Sequence, residues 1–443
     1  MSMSIGAPAH SFFGSKVIAA TFVLAVFGWG VGFYGPPVFL QSVVRRGAAD
    51  VAWASAAVTW HFVLGAFVVA NLPRFYRRAG VPRVTVLGAV VLALGVYGWG
   101  IAATPAQLFL AATLSGAGWV TMGGAAVNAL IAPWYVARRP LALGTAYNGA
   151  SLGGVVFSPL WVLLIGVMGL DGAAMVVGVA MVGTMAWLAA AVFRHTPASK
   201  GQYPDGVYAG AGQDGGVTAP PPAATGSSGT ADAASGDGVG VQAPPAPLTD
   251  TWKDRRFLTL CAGMALGLFA QIGLIAHLFS LLAPVMGEKA AGFAMGLCTA
   301  CAIFGRIAVG RLMPPGTDRR RVAAIAYGLQ AAGVLALLMS VWLPAQEGAL
   351  VGVLRWAGLL LFGSGIGNAT SLPPLIAQTE FTRADAQRVI PLIVAVSQGT
   401  YAFAPALFGL LRDLGGAAWL FPVAAAVQLA AIAALLAYSR PQT

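Results

Sequence analysis

The sequence predicts an all-α polytopic membrane protein: twelve transmembrane helices in two six-helix halves. Three observations predict it. Of 443 residues, 58% are hydrophobic and only 9% are charged, against about 25% charged in soluble domains, so a soluble core of this size would have no polar coat. Apolar runs of about 20 residues, the length that crosses a bilayer, recur along the chain. Lys and Arg fall in short clusters between those runs, mostly on one side, as membrane loops require. Together these exclude a soluble enzyme, a disordered chain and a secreted disulfide scaffold. The formal net charge of +11 is not gathered on one face or arm, so nucleic acid is not an expected partner.

The runs place helices at 16–40, 51–72, 83–103, 106–132, 140–165, 172–193, 256–284, 290–313, 322–343, 348–378, 387–411 and 416–438. They are far too long for barrel strands, which would alternate over about ten residues. The first follows Lys16; its leader has no basic charge and its run is too long for a signal core, so it is expected to remain in the mature chain. Gly28, Gly30, Gly32 and Gly35, then Pro36-Pro37, soften its far end. The second opens after Asp50 and closes at Arg74, and the third opens at Arg83. Arg138 and Arg139 separate the fourth from the fifth, and Asp171 separates the fifth from the sixth. In the second half Arg256 opens the seventh helix and Glu288 and Lys289 precede the eighth. Arg319–Arg321 precede the ninth, Glu347 the tenth, Arg388 begins the eleventh, and Arg412 and Asp413 separate it from the twelfth. Within the tenth, Gly363-Ser364-Gly365-Ile366-Gly367 and Pro373-Pro374 read as a helix break lining a cavity.

From Thr196 to Asp250 the chain has no Ile, Met, Phe or Trp and is dominated by Gly, Ala, Pro, Ser and Asp. Such a segment cannot bury enough apolar surface to offset its ordering entropy. The expected organisation is an N-terminal half at 1–194, a disordered linker at 195–251 and a C-terminal half at 252–443. With both termini in the cytoplasm, 19 of the 25 Lys and Arg lie at cytoplasmic ends, and Arg45, Arg46, Lys289 and Arg412 lie opposite. The high Ala and Gly content suggests a bacterial inner membrane.

At Trp134-Tyr135-Val136-Ala137-Arg138-Arg139-Pro140-Leu141-Ala142-Leu143-Gly144, continuing to Gly149, Gly153 and Pro159, the chain resembles a major facilitator superfamily transporter. Within that superfamily it resembles the oxalate/formate antiporter and monocarboxylate transporter branch. The run from His277-Leu278 to Gly305-Arg306 and Gly310-Arg311 is similar to that branch's seventh and eighth helices. The resemblance implies the major facilitator fold and alternating access between the halves. It departs from the pattern after helix two, where Asn71-Leu72-Pro73-Arg74 precedes Arg77-Arg78 without an acid, and after helix eight, where Asp318-Arg319 comes late.

All fourteen acids lie outside the expected spans, whereas Arg306, Arg355, His61 and His277 lie inside. An arginine near the bilayer centre costs about 2.5–3.5 kcal/mol on insertion scales. With no facing carboxylate to offset that cost, the counter-charge is expected to arrive with an organic anion, which a guanidinium fork holds through two parallel hydrogen bonds. The resemblance gives Arg306 this role; the competing reading is snorkelling to the helix end. It also places Gln398 where the antiporter has a lysine for a second carboxylate, which implies a monocarboxylate. Arg355 reads either as an anchor at the outer interface or as an outer anion funnel. His61 and His277 are the side chains inside the membrane that titrate near neutrality. Each reads as a coupling proton carrier or as a neutral histidine bonded to a neighbouring helix. Tyr34, Trp119, Tyr147, Asn148 and Tyr401 lie on helices that line the cavity in the resembled fold, with core packing as the alternative.

Other strings carry less. Gly149-Ala150-Ser151-Leu152-Gly153 matches a nucleophile elbow, but that elbow needs a strand-to-helix turn. Cys298 and Cys301 lack the second pair a zinc site needs, and no Walker motif accompanies the glycines. No cofactor or metal is expected. The sequence therefore predicts a monomeric secondary transporter for a small organic anion, a monocarboxylate, working by proton symport or exchange. The alternatives are an efflux carrier for an amphipathic compound, or a membrane sensor or intramembrane protease.

Overall fold

The computed structural model describes residues 12–206, 250–314, 316–344 and 348–438. Most of the expected linker (207–249), Glu347 and Arg440 lie outside the described residues. Fourteen α-helices run through the described part: α1 (Gly14–Gly32), α2 (Pro36–Arg45), α3 (Val51–Ala79), α4 (Val81–Ile101), α5 (Pro105–Trp119), α6 (Gly124–Ile131), α7 (Arg139–Leu188), α8 (Arg255–Met286), α9 (Glu288–Leu312), α10 (Arg319–Trp342), α11 (Gly348–Glu380), α12 (Arg383–Tyr401), α13 (Ala404–Gly415) and α14 (Leu420–Leu436). The long apolar helices give 11 continuous membrane-length segments. One of these, α7, holds two crossings, because Gly169 adopts φ 74° and reverses the chain, a conformation that side chains with a Cβ disfavour.

Three expected crossings are broken. Gly35 and the Pro36-Pro37 pair divide α1 from α2. A 3-10 turn at Val120–Met122 divides α5 from α6. Pro405, in the first turn of α13, follows a break after α12. Proline suits a first helical turn because its missing N–H would have no intrahelical partner there. The expected break at Pro373-Pro374 is not found: α11 continues through both prolines. Prolines are tolerated within membrane helices when neighbouring elements satisfy the freed carbonyls.

The acids at helix ends are structural. Asp50 caps α3 through the Trp53 N–H, Asp254 caps α8 through Arg256 and Phe257, and Asp318 caps α10 through Arg320 and Arg321. Glu380 departs from the expectation of a charge at a helix end facing water. It is buried, and its two oxygens accept from Nε and Nη2 of buried Arg320 at 2.6 and 2.8 Å. Arg320 also donates to Thr259 Oγ1, the Leu435 carbonyl and the Arg256 carbonyl. This network ties α8, α10, α11 and α14 together. The core of the same half holds further polar groups: Gln428 donates to Gln330 at 3.3 Å, and buried Asn368 and Tyr327 lie around a small cavity.

The two halves meet toward the end of the bundle opposite α1's start, here called the far end. Arg45 of α2 pairs with Glu288 of α9. The Ala406 N–H of α13 donates to Thr59 Oγ1 of α3 at 2.9 Å. At Gly292 and Gly296 of α9 a Cβ would press on Val162, Pro159 and the Val155 carbonyl of α7, so the absence of side chains permits close approach there.

The beginning of the expected linker is ordered. Asp205, the one non-glycine residue with positive φ among the described residues, accepts from the backbone N–H groups of Val136, Ala137 and Arg138 at 3.1, 2.8 and 3.1 Å. Its own N–H donates to the Trp134 carbonyl at 2.9 Å. Gln202 accepts from the Phe13 N–H at 3.0 Å. Residues 197–206 thus clasp the loop before α7 and the start of α1.

Candidate functional site

Helical faces carry the site from the closed far end toward the other end. On α9, Thr299 and Arg306 lie one heptad apart and share a face. On α7, Asn148 lies one heptad before Val155, which packs against Gly296. The two helices therefore interlock at Val155–Gly296 and present Asn148 and Arg306 where their contact ends. Asn148 is exposed and Arg306 half-buried.

Arg306 is held by its stem. Its Nε donates to the Gly367 carbonyl of α11 at 3.3 Å. Helical side chains lean toward the helix N-terminus, and that of α9 is at the far end, so the guanidinium leans toward mid-membrane. Tyr34 lies in that direction. Its ring and the Thr299 methyl both crowd Gly154, and its hydroxyl pairs with the Thr299 side chain. Among the described residues, no carboxylate forms an ion pair with Arg306.

Aromatic ring contacts cross between the halves. Tyr401 of α12 meets Phe62 of α3 at 6.4 Å between centroids, and Phe62 meets Trp119 at 6.0 Å. Trp29 contacts both Trp119 and Tyr147, at 6.5 and 6.0 Å. Phe33 joins Tyr34 to Phe62 at 5.1 and 5.8 Å. The Tyr147 hydroxyl donates to the Gly124 carbonyl and accepts from Asn128 Nδ2 at 2.8 Å. The structure thus brings Tyr34, Trp119, Tyr147 and Tyr401 into one aromatic cluster, in which Trp119 and Phe62 are buried in the core. Gln398 lies three residues before Tyr401 on α12, half-buried and without a side-chain hydrogen bond among the described residues. The sequence reading missed Trp29, Phe33, Phe62 and Thr299. The i, i+4 spacing of Trp29 and Phe33, and the heptad from Thr299 to Arg306, were the available signals.

Of the histidines, His61 adjoins the aromatic cluster and His277 lies apart from it. His61 is buried in the N-terminal half, stacked on Trp119 at 5.9 Å. Its Nε2 is 2.9 Å from the Gly32 carbonyl, which can only accept, so Nε2 carries the hydrogen. Nδ1 is 2.9 Å from Ser115 Oγ, which also accepts from Trp99 Nε1 at 3.1 Å. The Ser115 hydroxyl, which also reaches the Ala112 carbonyl at 3.3 Å, has one hydrogen to share between that carbonyl and Nδ1. His277 is buried beside α13, with Nε2 donating to the Pro405 carbonyl at 3.1 Å. Arg355 lies near the far end of α11, and its Nη1 reaches the Val285 carbonyl at 3.4 Å.

The Major Facilitator Superfamily matches residues 17–398. The fold is similar to that of the nucleoside transporter NupG (D323A mutant), with a TM-score of 0.68 and 12% identity over 95% of this chain and 99% of that one. It is also similar to a bacterial homolog of the human lysosomal transporter Spinster. The unoccupied inward-facing form gives a TM-score of 0.63 at 14% identity, and the occupied inward-facing form 0.60 at 11%. Both comparisons cover 97% of this chain and 95% of the other. No curated protein sequence matches the chain.

Proposed function

This chain belongs to the Major Facilitator Superfamily and is a membrane transporter rather than an enzyme, and we propose that its cargo is a small organic anion, a monocarboxylate, carried by alternating access. The observation that carries this reading is Arg306, anchored through Nε and facing Tyr34 with no carboxylate ion-paired to it among the described residues. A desolvated guanidinium without an acid is an anion site, because a substrate carboxylate restores the charge balance and takes two parallel hydrogen bonds. The aromatic cluster accommodates the apolar part of the acid. Gln398 supplies an amide donor rather than a second positive charge, which favours one carboxylate over two.

The coupling we propose is proton symport or exchange. His61 Nε2 is held by the Gly32 carbonyl, and His277 donates through Nε2 to the α13 backbone while its buried Nδ1 has no partner among the described residues. Closure of the far end supports reading the described conformation as inward-facing, on the proposal that the termini lie in the cytoplasm of a bacterial inner membrane. Arg355 then stands at the outer rim, where it draws anions toward the closed entrance. Counterflow uptake into proteoliposomes tests the reading, using labelled lactate, formate, oxalate and benzoate with wild type and Arg306→Gln. Uptake of a monocarboxylate by wild type and its loss in the variant is expected. Uptake that survives the substitution overturns the site, and wild-type silence across the panel favours efflux of a larger amphipathic compound.

A further inference from the structure

At the end of the N-terminal half opposite its seal, a cavity of about 250 Å³ opens between the ends of α1, α4, α6 and α7. Its walls are mainly apolar and include Val17, Leu130, Trp134 and Phe193; Arg194 and His195 stand at its edge. The clasp shapes this rim. Phe13 packs on Trp134 at 5.3 Å and edge-on to His195 at 5.4 Å. The ammonium groups of Lys200 and Lys16 lie over the same Phe13 ring at 4.8 and 5.7 Å. Arg194 and His195 thus line the apolar chamber, and Lys16 and Lys200 stand beside it on the Phe13 ring that packs against its Trp134 and His195. Among the described residues none of Lys16, Arg194 or Lys200 has an ion pair. The nearby acid, Asp205, is occupied by three backbone N–H groups. Partial burial and the charges of Lys200 and Arg194 hold His195 below the usual imidazole value, as expected in a positive field without a counter-charge.

We propose that this chamber binds the headgroup of an anionic phospholipid from the surrounding leaflet, with the phosphate on Arg194 and Lys200 and the glycerol and first acyl carbons against Trp134, Leu130 and Phe193. The chemistry on each side of the rim selects that ligand. A free phosphate satisfies the cations but leaves the apolar walls wet, and a neutral lipid fills the chamber but leaves the cations unpaired. Basic pockets between membrane helices hold anionic headgroups in this way. The chamber lies at the level where α1 and α7 leave the apolar span, which is where lipid phosphates lie. It is remote from Arg306, so this site stands whether or not the cargo is an anion.

The test is native mass spectrometry of the full chain released from micelles containing equal dioleoylphosphatidylglycerol and dioleoylphosphatidylcholine. Wild type is expected to retain one phosphatidylglycerol preferentially. Arg194→Gln with Lys200→Gln removes two cations and is expected to cut the preference by about thirtyfold. Ala129→Phe keeps every charge but fills the chamber, and is expected to cut retention as well, which separates a fitted site from simple attraction. Arg77→Gln with Arg78→Gln, bases on the same side outside the chamber, should change little. The proposal is overturned if the chamber variants retain the lipid as wild type does, if the Arg77 and Arg78 control loses it equally, or if inorganic phosphate displaces it at millimolar concentration.

Discussion

At the scale of single residues, the account rests on which charges have partners. Arg320 and Arg306 both lie on helices of the C-terminal half, yet Arg320 has the Glu380 carboxylate and Arg306 has only a carbonyl on Nε. The first is structural, and the second is the residue we propose takes the cargo anion. Glu380→Gln or Arg320→Ala should therefore destabilise the fold by about 3–5 kcal/mol, since either strands a buried charge. Thermal unfolding in detergent should show the loss, and Arg320→Met with Glu380→Leu should unfold later than either single variant. Arg306→Lys should leave unfolding unchanged but weaken anion binding by about 10- to 150-fold, the loss of about 1.5–3 kcal/mol for a charged hydrogen bond. The intramembrane arginine was legible in the sequence because a lone cation in an apolar run stands out. Glu380 was not, because a carboxylate two residues beyond the expected end of its helix reads as solvated until the fold shows α8 and α10 closing over it.

At the scale of elements, the clasp and the interlocked faces make separate predictions. The Asp205 carboxyl is raised by partial burial, but the N–H groups of Ala137, Arg138 and Val136 and the Arg138 charge outweigh this and hold it below the usual carboxylate value. A depressed native value means that the clasp's stability is complete above about pH 4 and is lost as pH falls through the native value. Hydrogen-exchange protection of the Val136, Ala137 and Arg138 amides should fall accordingly, and at neutral pH in Asp205→Asn. The composition of 195–251 suggested disorder throughout; one aspartate placed opposite three free N–H groups was enough to order its first turns. Compositional averages do not register such a capping contact. On α9, Gly296→Leu should wedge the far end apart at a cost of about 1–3 kcal/mol, lowering labelling of an Asn148→Cys reporter from the terminal side by at least about fivefold. Unchanged labelling would show that the α7 and α9 faces do not part together.

At the scale of the whole molecule, the twelve crossings were readable from run length alone, and the reversal at Gly169 hides one of them inside a single long helix. The breaks were half legible. Pro36-Pro37 and Pro405 begin helices, where a missing N–H is harmless, whereas Pro373-Pro374 lie within one. The sequence itself does not say which environment a proline will meet. Tyr34, Trp119, Tyr147 and Tyr401 do fall in one ring cluster, whose links through Trp29, Phe33 and Phe62 were not legible because rings at the end of α1 and on α3 become neighbours only when the helices pack. The site we propose is aromatic, straddles both halves and contains one guanidinium with no ion pair among the described residues. Its central claim concerns charge, so the most direct measurement is equilibrium binding of labelled benzoate and of benzamide, its neutral isostere, to the purified protein. The account predicts saturable benzoate binding that Arg306→Gln abolishes, with no comparable binding of benzamide. Equal binding of the two, or benzoate binding indifferent to Arg306, would contradict it.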